Sequence, residues 1–341
     1  MTMKPTDTAT QTGAGDRPFR LALAGAGRMG RTHLRALAGS GTVEVVGVAE
    51  PVTAVRDRLA AEGLPVHPGL ADVIAHARPD GILIAAPTGS HLEIVRTAVG
   101  AGVPVLCEKP AGLTSAEVRE AERLAARHGV AFQVAYWRRY VPVVQSLRRR
   151  ILSGALGEVH LVISSQWDGE PPSARFRTGS GGIFVDMGVH EFDQVRWLTG
   201  QEITGVQAVA AGFLSDPEAE GDVDSAQALL ALSGGSTALV SLGRHFPDGD
   251  MATVEVFGTR GHERVTVLDP ADGEAPMLDA LRRQTEAFAA YVRSGTTAGA
   301  GTGDALAALH SAERATAAMR VRPPVDTADL PSSVPAGSAL R

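Results

Sequence analysis

The sequence predicts an α/β protein of two domains: an N-terminal doubly wound parallel sheet, then a second α/β domain on a largely antiparallel sheet. Three observations carry this prediction. Apolar strands alternate with helical runs from Phe19 to Trp137, the pattern of a parallel sheet covered on both faces. Four consecutive strand-like runs, "GVQAVAAGFL", "SAQALLALSGG", "STALVSLGRHF" and "MATVEVFGTRG", are separated by turn residues, as in an antiparallel sheet. A length of 341 residues suits two cores. The expected layout is a loose tail at 1–17, a dinucleotide domain at 18–137, a substrate and oligomerisation domain at 138–325, and a loose tail at 326–341.

The elements follow in order. Phe19 to Ala24 is a short buried strand, and the helix after it opens at a glycine loop. "VEVVGVAE" is a second strand ending at Glu50, and "VTAVRDRLAAEG" reads as a helix. Ile82 to Ala86 is a strand that enters the polar turn "PTGSH" and a helix from His91 to Val99. "GVPVLCEKPAG" is the next strand; Thr114 with Glu117 has the spacing of a capping box for a helix through Arg127. "VAFQVAYW" is a further strand. After Tyr140 come a helix ending near Gly154, the strand "EVHLVISSQW", the helix within "GGIFVDMGVHEFDQVRWLTG", the four runs above, and two helices, Leu278 to Val292 and Asp304 to Met319.

Gly25-Ala26-Gly27-Arg28-Met29-Gly30 fits G-x-G-x-x-G. The pattern is weak alone, but here it follows a strand and opens a helix, and Glu50 stands twenty positions after Gly30 at the end of the next strand. That context is the Rossmann fingerprint. The glycines permit a tight turn, and the helix N-terminus faces a pyrophosphate. Arg28 and Met29 lie inside the loop and count among its cofactor contacts. A carboxylate at Glu50 accepts ribose hydroxyls and repels the extra phosphate of NADP, so NAD is preferred; Arg28 and Arg56 leave NADP use open. Thr88 and His91 of "PTGSH", with Glu108 and Lys109 of "CEKPAG", end the following strands on the edge where ligands of open α/β sheets bind and are expected to contact the cofactor. His91 either approaches the nicotinamide side or simply starts its helix.

Asp186, His190, Asp193 and Trp197 are spaced by four, three and four. At about 3.6 residues per turn these share one stripe of a helix, beside an apolar stripe of Val185, Val189 and Phe192. An imidazole titrates near working pH and suits a general base. An acid one turn earlier can orient the ring, and an acid one turn later can accept a neighbouring hydroxyl. The plain alternative is a surface acid–histidine pair of about 0.3–0.5 kcal/mol.

"PTGSH", "GVPVLCEKPAGLTSAE" and "GGIFVDMGVHEFDQVRWLTG", with the glycine loop, resemble the glucose-fructose oxidoreductase / inositol dehydrogenase / rhizopine-catabolism (Gfo/Idh/MocA) family, from about Phe19 to Val325. Within it the motifs look most like inositol 2-dehydrogenase. The resemblance implies an open sheet in the second domain, a cis Lys109-Pro110 bond, and a homodimer or homotetramer. It implies Lys109, Asp186 and His190 as the catalytic set, with Asp193 and Arg138 at the polyol. Trp167 stands where inositol dehydrogenases tend to have a histidine, and the expected tyrosine near Phe246 is missing, so the substrate pocket differs.

The implied activity is an NAD-dependent dehydrogenase acting on a secondary alcohol of a cyclic polyol, myo-inositol or scyllo-inositol. Competing readings are a sugar or aminosugar 3-dehydrogenase/ketoreductase and a non-catalytic dinucleotide-sensing regulator. The net charge of −6 leaves no nucleic-acid footprint. No apolar run is long enough to span a bilayer, and no His/Cys/Asp cluster has metal-ligand spacing, so no metal is expected. The single cysteine, Cys107, excludes an internal disulfide framework, and the N-terminus lacks the apolar stretch of a signal peptide; the expected location is the cytoplasm.

Overall fold

The computed structural model describes residues 17–212, 222–296 and 299–321. The chain forms two compact units, each on its own sheet. Residues 1–16 and 322–341, which include most of both expected tails, lie outside the described residues, as do Phe213 and Leu214 at the end of the first of the four runs. Arg17 is tied down: its guanidinium donates to both carboxylate oxygens of Asp80, at 2.7 and 2.8 Å.

The first unit alternates strand and helix: β1 Phe19–Ala24, α1 Arg28–Leu37, β2 Val43–Ala49, α2 Thr53–Ala61, β3 Val66–His67, α3 Leu70–Ala77, β4 Gly81–Ile84, α4 His91–Gly100, β5 Val105–Glu108, α5 Ser115–His128 and β6 Phe132–Ala135. All strand pairs are parallel, in the order β3-β2-β1-β4-β5-β6. This is the doubly wound order whose direction reverses between β1 and β4. The strands β4, β5 and β6 are buried at every residue, as a sheet covered on both faces requires. The short β3 and the helix after it were not read from the sequence.

The unit also contains Glu274–Gly303, and here the boundary departs from the expected one, which gave this segment to the second domain. The physical reason is Phe288. Its ring is fully buried and meets the edge of Phe19 at 6.0 Å. A Cβ on Gly81 would sit 2.8 Å from the Phe19 ring and 2.9 Å from that of Phe288, so the glycine makes the space both rings fill. The helix carrying Phe288, Ala275–Ser294, thereby completes the core formed with Leu21, Leu83 and Leu106.

The second unit runs through α6 Pro142–Leu152, β7 Val159–Trp167, α7 Ala174–Gly179, a π-helical turn Phe184–Gly188, α8 Val189–Thr199, β8 Ile203–Ala211, β9 Ser225–Leu232, β10 Thr237–Gly243, β11 Met251–Gly258 and β12 His262–Leu268. The long helix described above is α9; α10 Thr302–Ala318 and β13 Met319–Val321 follow. The sheet order is β12-β11-β7-β10-β9-β8-β13. It is mixed and largely antiparallel, with parallel pairing of β7 to β10 and of β8 to β13. Burial alternates along β9: Ala226, Ala228, Leu230 and Leu232 are buried, while Leu229 and Ala231 between them are exposed. One face therefore packs on a core that includes α8, where Gln194 donates to Ser164 Oγ on β7 at 3.1 Å. The opposite face carries Leu229 and Val209, 58 % and 42 % exposed.

Candidate active site

The glycine loop lies at the carboxyl ends of β1 and β4. Gly25 adopts a φ of 93°, open to glycine at little cost. A Cβ there would sit 2.7 Å from the backbone of Ala86, so the turn after β1 closes directly against the chain leaving β4. Gly30 is packed against the Gly25 carbonyl. Gly27 is different. A Cβ on it would meet nothing within 4 Å, and it begins α1 with no side chain capping the helix. Bare backbone facing open space at an uncapped helix N-terminus is the cradle a pyrophosphate needs. Arg28 and Met29 form the first turn of α1.

Glu50, directly after β2, is 6 % exposed. One carboxylate oxygen accepts the Ala26 N–H and the other the Val52 N–H, both at 2.9 Å. Each oxygen keeps a lone pair, so the carboxylate is fixed to the glycine loop and still able to accept ribose hydroxyls. Arg56 donates to the Glu50 and Pro51 carbonyls, at 2.8 and 2.7 Å, and to Thr53. These residues fit NAD.

Thr88 is half-buried in the short helical turn Thr88–Ser90 after β4. His91 does more than start its helix. It is buried, with Nε2 2.8 Å from the Ala86 carbonyl and Nδ1 3.0 Å from that of Pro110. The ring thus bridges the loops leaving β4 and β5, and burial pushes its pKa down. The Lys109-Pro110 bond is cis. Glu108 turns inward: one oxygen lies 2.6 Å from Nε2 of the fully buried His33 on α1, and the other accepts the Lys109 N–H at 3.1 Å. His33, which sequence reasoning missed, thus forms a buried pair with Glu108, the residue before Lys109. Cys107 is a buried free thiol whose pKa burial raises well above its usual value. Arg138 is buried on the turn after β6, with its guanidinium 5.9 Å from the Trp137 ring centre.

In the second unit the expected regular helix is modified. Asp186 lies on the π-helical turn and His190 in the first turn of α8, because the backbone widens before α8 begins. Val185, Val189 and Phe192 are buried as expected, but the polar stripe is buried too: Asp186, His190 and Asp193 are 9, 5 and 2 % exposed. Trp167 ends β7, lies across Gly243 and donates from its indole to Ser241 Oγ at 3.3 Å.

Arg244, which sequence reasoning missed, is fully buried and donates from Nη1 to Asp186 Oδ2 at 3.1 Å. Among the described residues, no group of three or more His, Cys, Asp or Glu side chains is placed to hold a metal, and no helix is long and apolar enough to cross a membrane.

A dinucleotide cradle at the switch point of a doubly wound sheet, with an acid fixed beside it, marks the class of this protein as NAD-binding, and the family match makes it an oxidoreductase. Comparison with known proteins agrees. Residues 19–136 match the oxidoreductase family with an NAD-binding Rossmann fold, and residues 144–263 match the GFO/IDH/MocA C-terminal domain. The chain belongs to the GFO/IDH/MocA family and is an NAD-dependent dehydrogenase. It is 47 % identical to the rhizopine catabolism protein MocA of Rhizobium meliloti over 298 residues, 87 % of this chain and 94 % of that one. It is 30 % identical to the inositol 2-dehydrogenase of Rhizobium meliloti (strain 1021) over 315 residues, 87 % and 95 % of the two chains. Among solved structures, the scyllo-inositol dehydrogenase of Lactobacillus casei with bound NAD(H) and scyllo-inositol superposes with a TM-score of 0.79 at 25 % identity, over 89 % of this chain and 97 % of that one.

Proposed function

We propose that the protein oxidises a secondary alcohol of a cyclic polyol, myo-inositol or scyllo-inositol, with NAD as the hydride acceptor. His190 takes the hydroxyl proton. Asp186 orients the imidazole and balances the charge it gains. Lys109 stabilises the developing alkoxide and fixes the hydroxyl. Asp193, Arg138 and Trp167 contact the neighbouring hydroxyls and the ring. Thr88, Glu50 and the glycine loop hold the cofactor, while Glu108 and His91 shape the backbone around Lys109.

The observation that carries this reading is the burial of Asp186, His190 and Asp193 together. An ordinary acid–histidine pair on a helix is solvated and worth little; three ionisable groups withdrawn from water on adjoining turns favour a site. The inositol dehydrogenases among the relatives support the substrate class. The 47 % identical relative is named for rhizopine catabolism, so rhizopine belongs beside the inositols in any substrate panel, together with glucose and aminosugars.

Purified protein is expected to form NADH with at least one cyclic polyol of that panel; silence across it would overturn the reading. Lys109→Ala and His190→Ala are each expected to bind NAD normally and to lose about 10²–10⁴-fold in kcat. Turnover at the wild-type rate in either variant would remove that residue from the reaction. The exposed apolar sheet face with Leu229 and Val209 supports a homodimer or homotetramer, and Leu229→Arg is expected to lower the mass measured by light scattering. An NAD-requiring reaction and a lone free thiol fit the cytoplasm.

A further inference from the structure

The buried charges of the second unit form a chain that ends at Asp186. Asp224 Oδ1 lies 3.3 Å from Arg177 Nη2. Arg177 Nε lies 2.9 Å from Asp222 Oδ2, and the same oxygen lies 2.9 Å from Arg244 Nε. Arg244 Nη1 donates to Asp186 Oδ2. Acid and guanidinium alternate through five side chains drawn from α7, the π-helical turn, the start of β9 and the end of β10. The Arg244 side chain is wholly excluded from solvent, and that of Asp186 is 12 % exposed. The backbone repeats the link, since Arg244 N–H donates to the Asp224 carbonyl at 2.7 Å.

We infer that Arg244 is a positioning residue of the reaction: anchored by Asp222, it sets the direction of the Asp186 carboxylate and so acts on the chemistry through Asp186. The inference rests on the role proposed above for Asp186. The physical case is that a buried guanidinium donating to one Asp186 oxygen, and itself in contact with a second carboxylate, selects the direction in which the Asp186 carboxylate points. Arginine suits this because one guanidinium meets two carboxylates at once, donating from Nη1 to Asp186 and lying in ionic contact with Asp222 through Nε. Burial raises the cost of leaving either charge unpaired, so the chain behaves as one unit. Arg177 and Asp222, the links of the chain before Arg244, line a cavity of about 230 Å³.

Arg244→Lys is expected to lower kcat about 10- to 100-fold through misorientation of Asp186, with NAD affinity and the polyol KM unchanged. Arg244→Ala is expected to lose more, and millimolar guanidinium is expected to restore several-fold activity while urea restores none. Wild-type kcat in either variant, or no rescue of a folded Arg244→Ala, overturns the inference. Should both variants fail to melt cooperatively, Asp222→Asn tests the same anchor with Arg244 in place: reduced kcat at unchanged KM supports it, and unchanged kcat overturns it. A crystal structure of Arg244→Lys gives a readout independent of turnover. The Asp186 carboxylate is expected to rotate while the backbone around it stays put, and an unrotated carboxylate overturns the inference. If the wild-type protein turns over no polyol or sugar, the proposed function fails, and the crystal structure still decides what Arg244 does to Asp186.

Discussion

Glu50 accepts two backbone N–H groups, so its charge fixes the glycine loop, and in the proposed reading its remaining lone pairs serve the cofactor. Glu50→Gln places an amide NH₂ against either the Ala26 or the Val52 N–H. Loss of charge-assisted hydrogen bonds worth about 1.5–3 kcal/mol is expected to weaken NAD binding by about tenfold or more, read by calorimetry. Glu50 was legible in the sequence because its meaning depends on a fixed distance from a glycine loop. Lys109, Asp186 and His190 could be proposed from the sequence because each sits in a compact motif. Arg244 was not, because its partner Asp186 is 58 positions away and nothing in "SLGRHF" marks a buried arginine. His33 went unread for the same reason: the acid it meets, Glu108, is 75 positions distant.

At the scale of elements, periodicity located five of the six strands of the first sheet and both C-terminal helices. It did not say where α9 belongs. An apolar stripe tells that a helix buries one face, not which core receives it, and only the three-way fit of Phe19, Gly81 and Phe288 assigns it. Phe288→Ala is expected to cost about 3–5 kcal/mol, seen as a lower Tm and weakened NAD binding. A fall in Tm no larger than that of a surface substitution would argue against this placement. The π-helical turn before α8 was also illegible, since steps of three and four residues fit a regular helix as well. The short β3 left too few residues for any alternation to register, and β12, half-exposed along most of its length, carries a weak apolar signal.

For the molecule as a whole, acid sensitivity follows from His91. Burial holds its folded pKa below the ordinary 6.5. The unfolded chain therefore takes up a proton at that value while the folded chain does not. Stability is unaffected by this ring at higher pH and falls as pH drops below about 6.5. The Tm of the wild-type protein is expected to decline across that range, and His91→Gln, which cannot titrate there, is expected to show a shallower decline. Equal slopes would show that other groups set the acid limit. The two-sheet architecture itself was readable, because alternation of strand with helix and a run of successive strands are signals spread over many residues. The boundary was not, because the first unit takes back a segment from late in the chain.

That late segment has a consequence for synthesis. A ribosome that has made the whole six-stranded sheet has not yet made the ring that fills the gap beside Gly81. Nascent chains halted before residue 275 should remain open to protease and should fail to retain an NAD-affinity resin, whereas chains halted after residues 275–303 have cleared the exit tunnel should resist and be retained. Competence to hold the dinucleotide would thus arrive abruptly, near the end of translation, and not when the glycine loop first emerges.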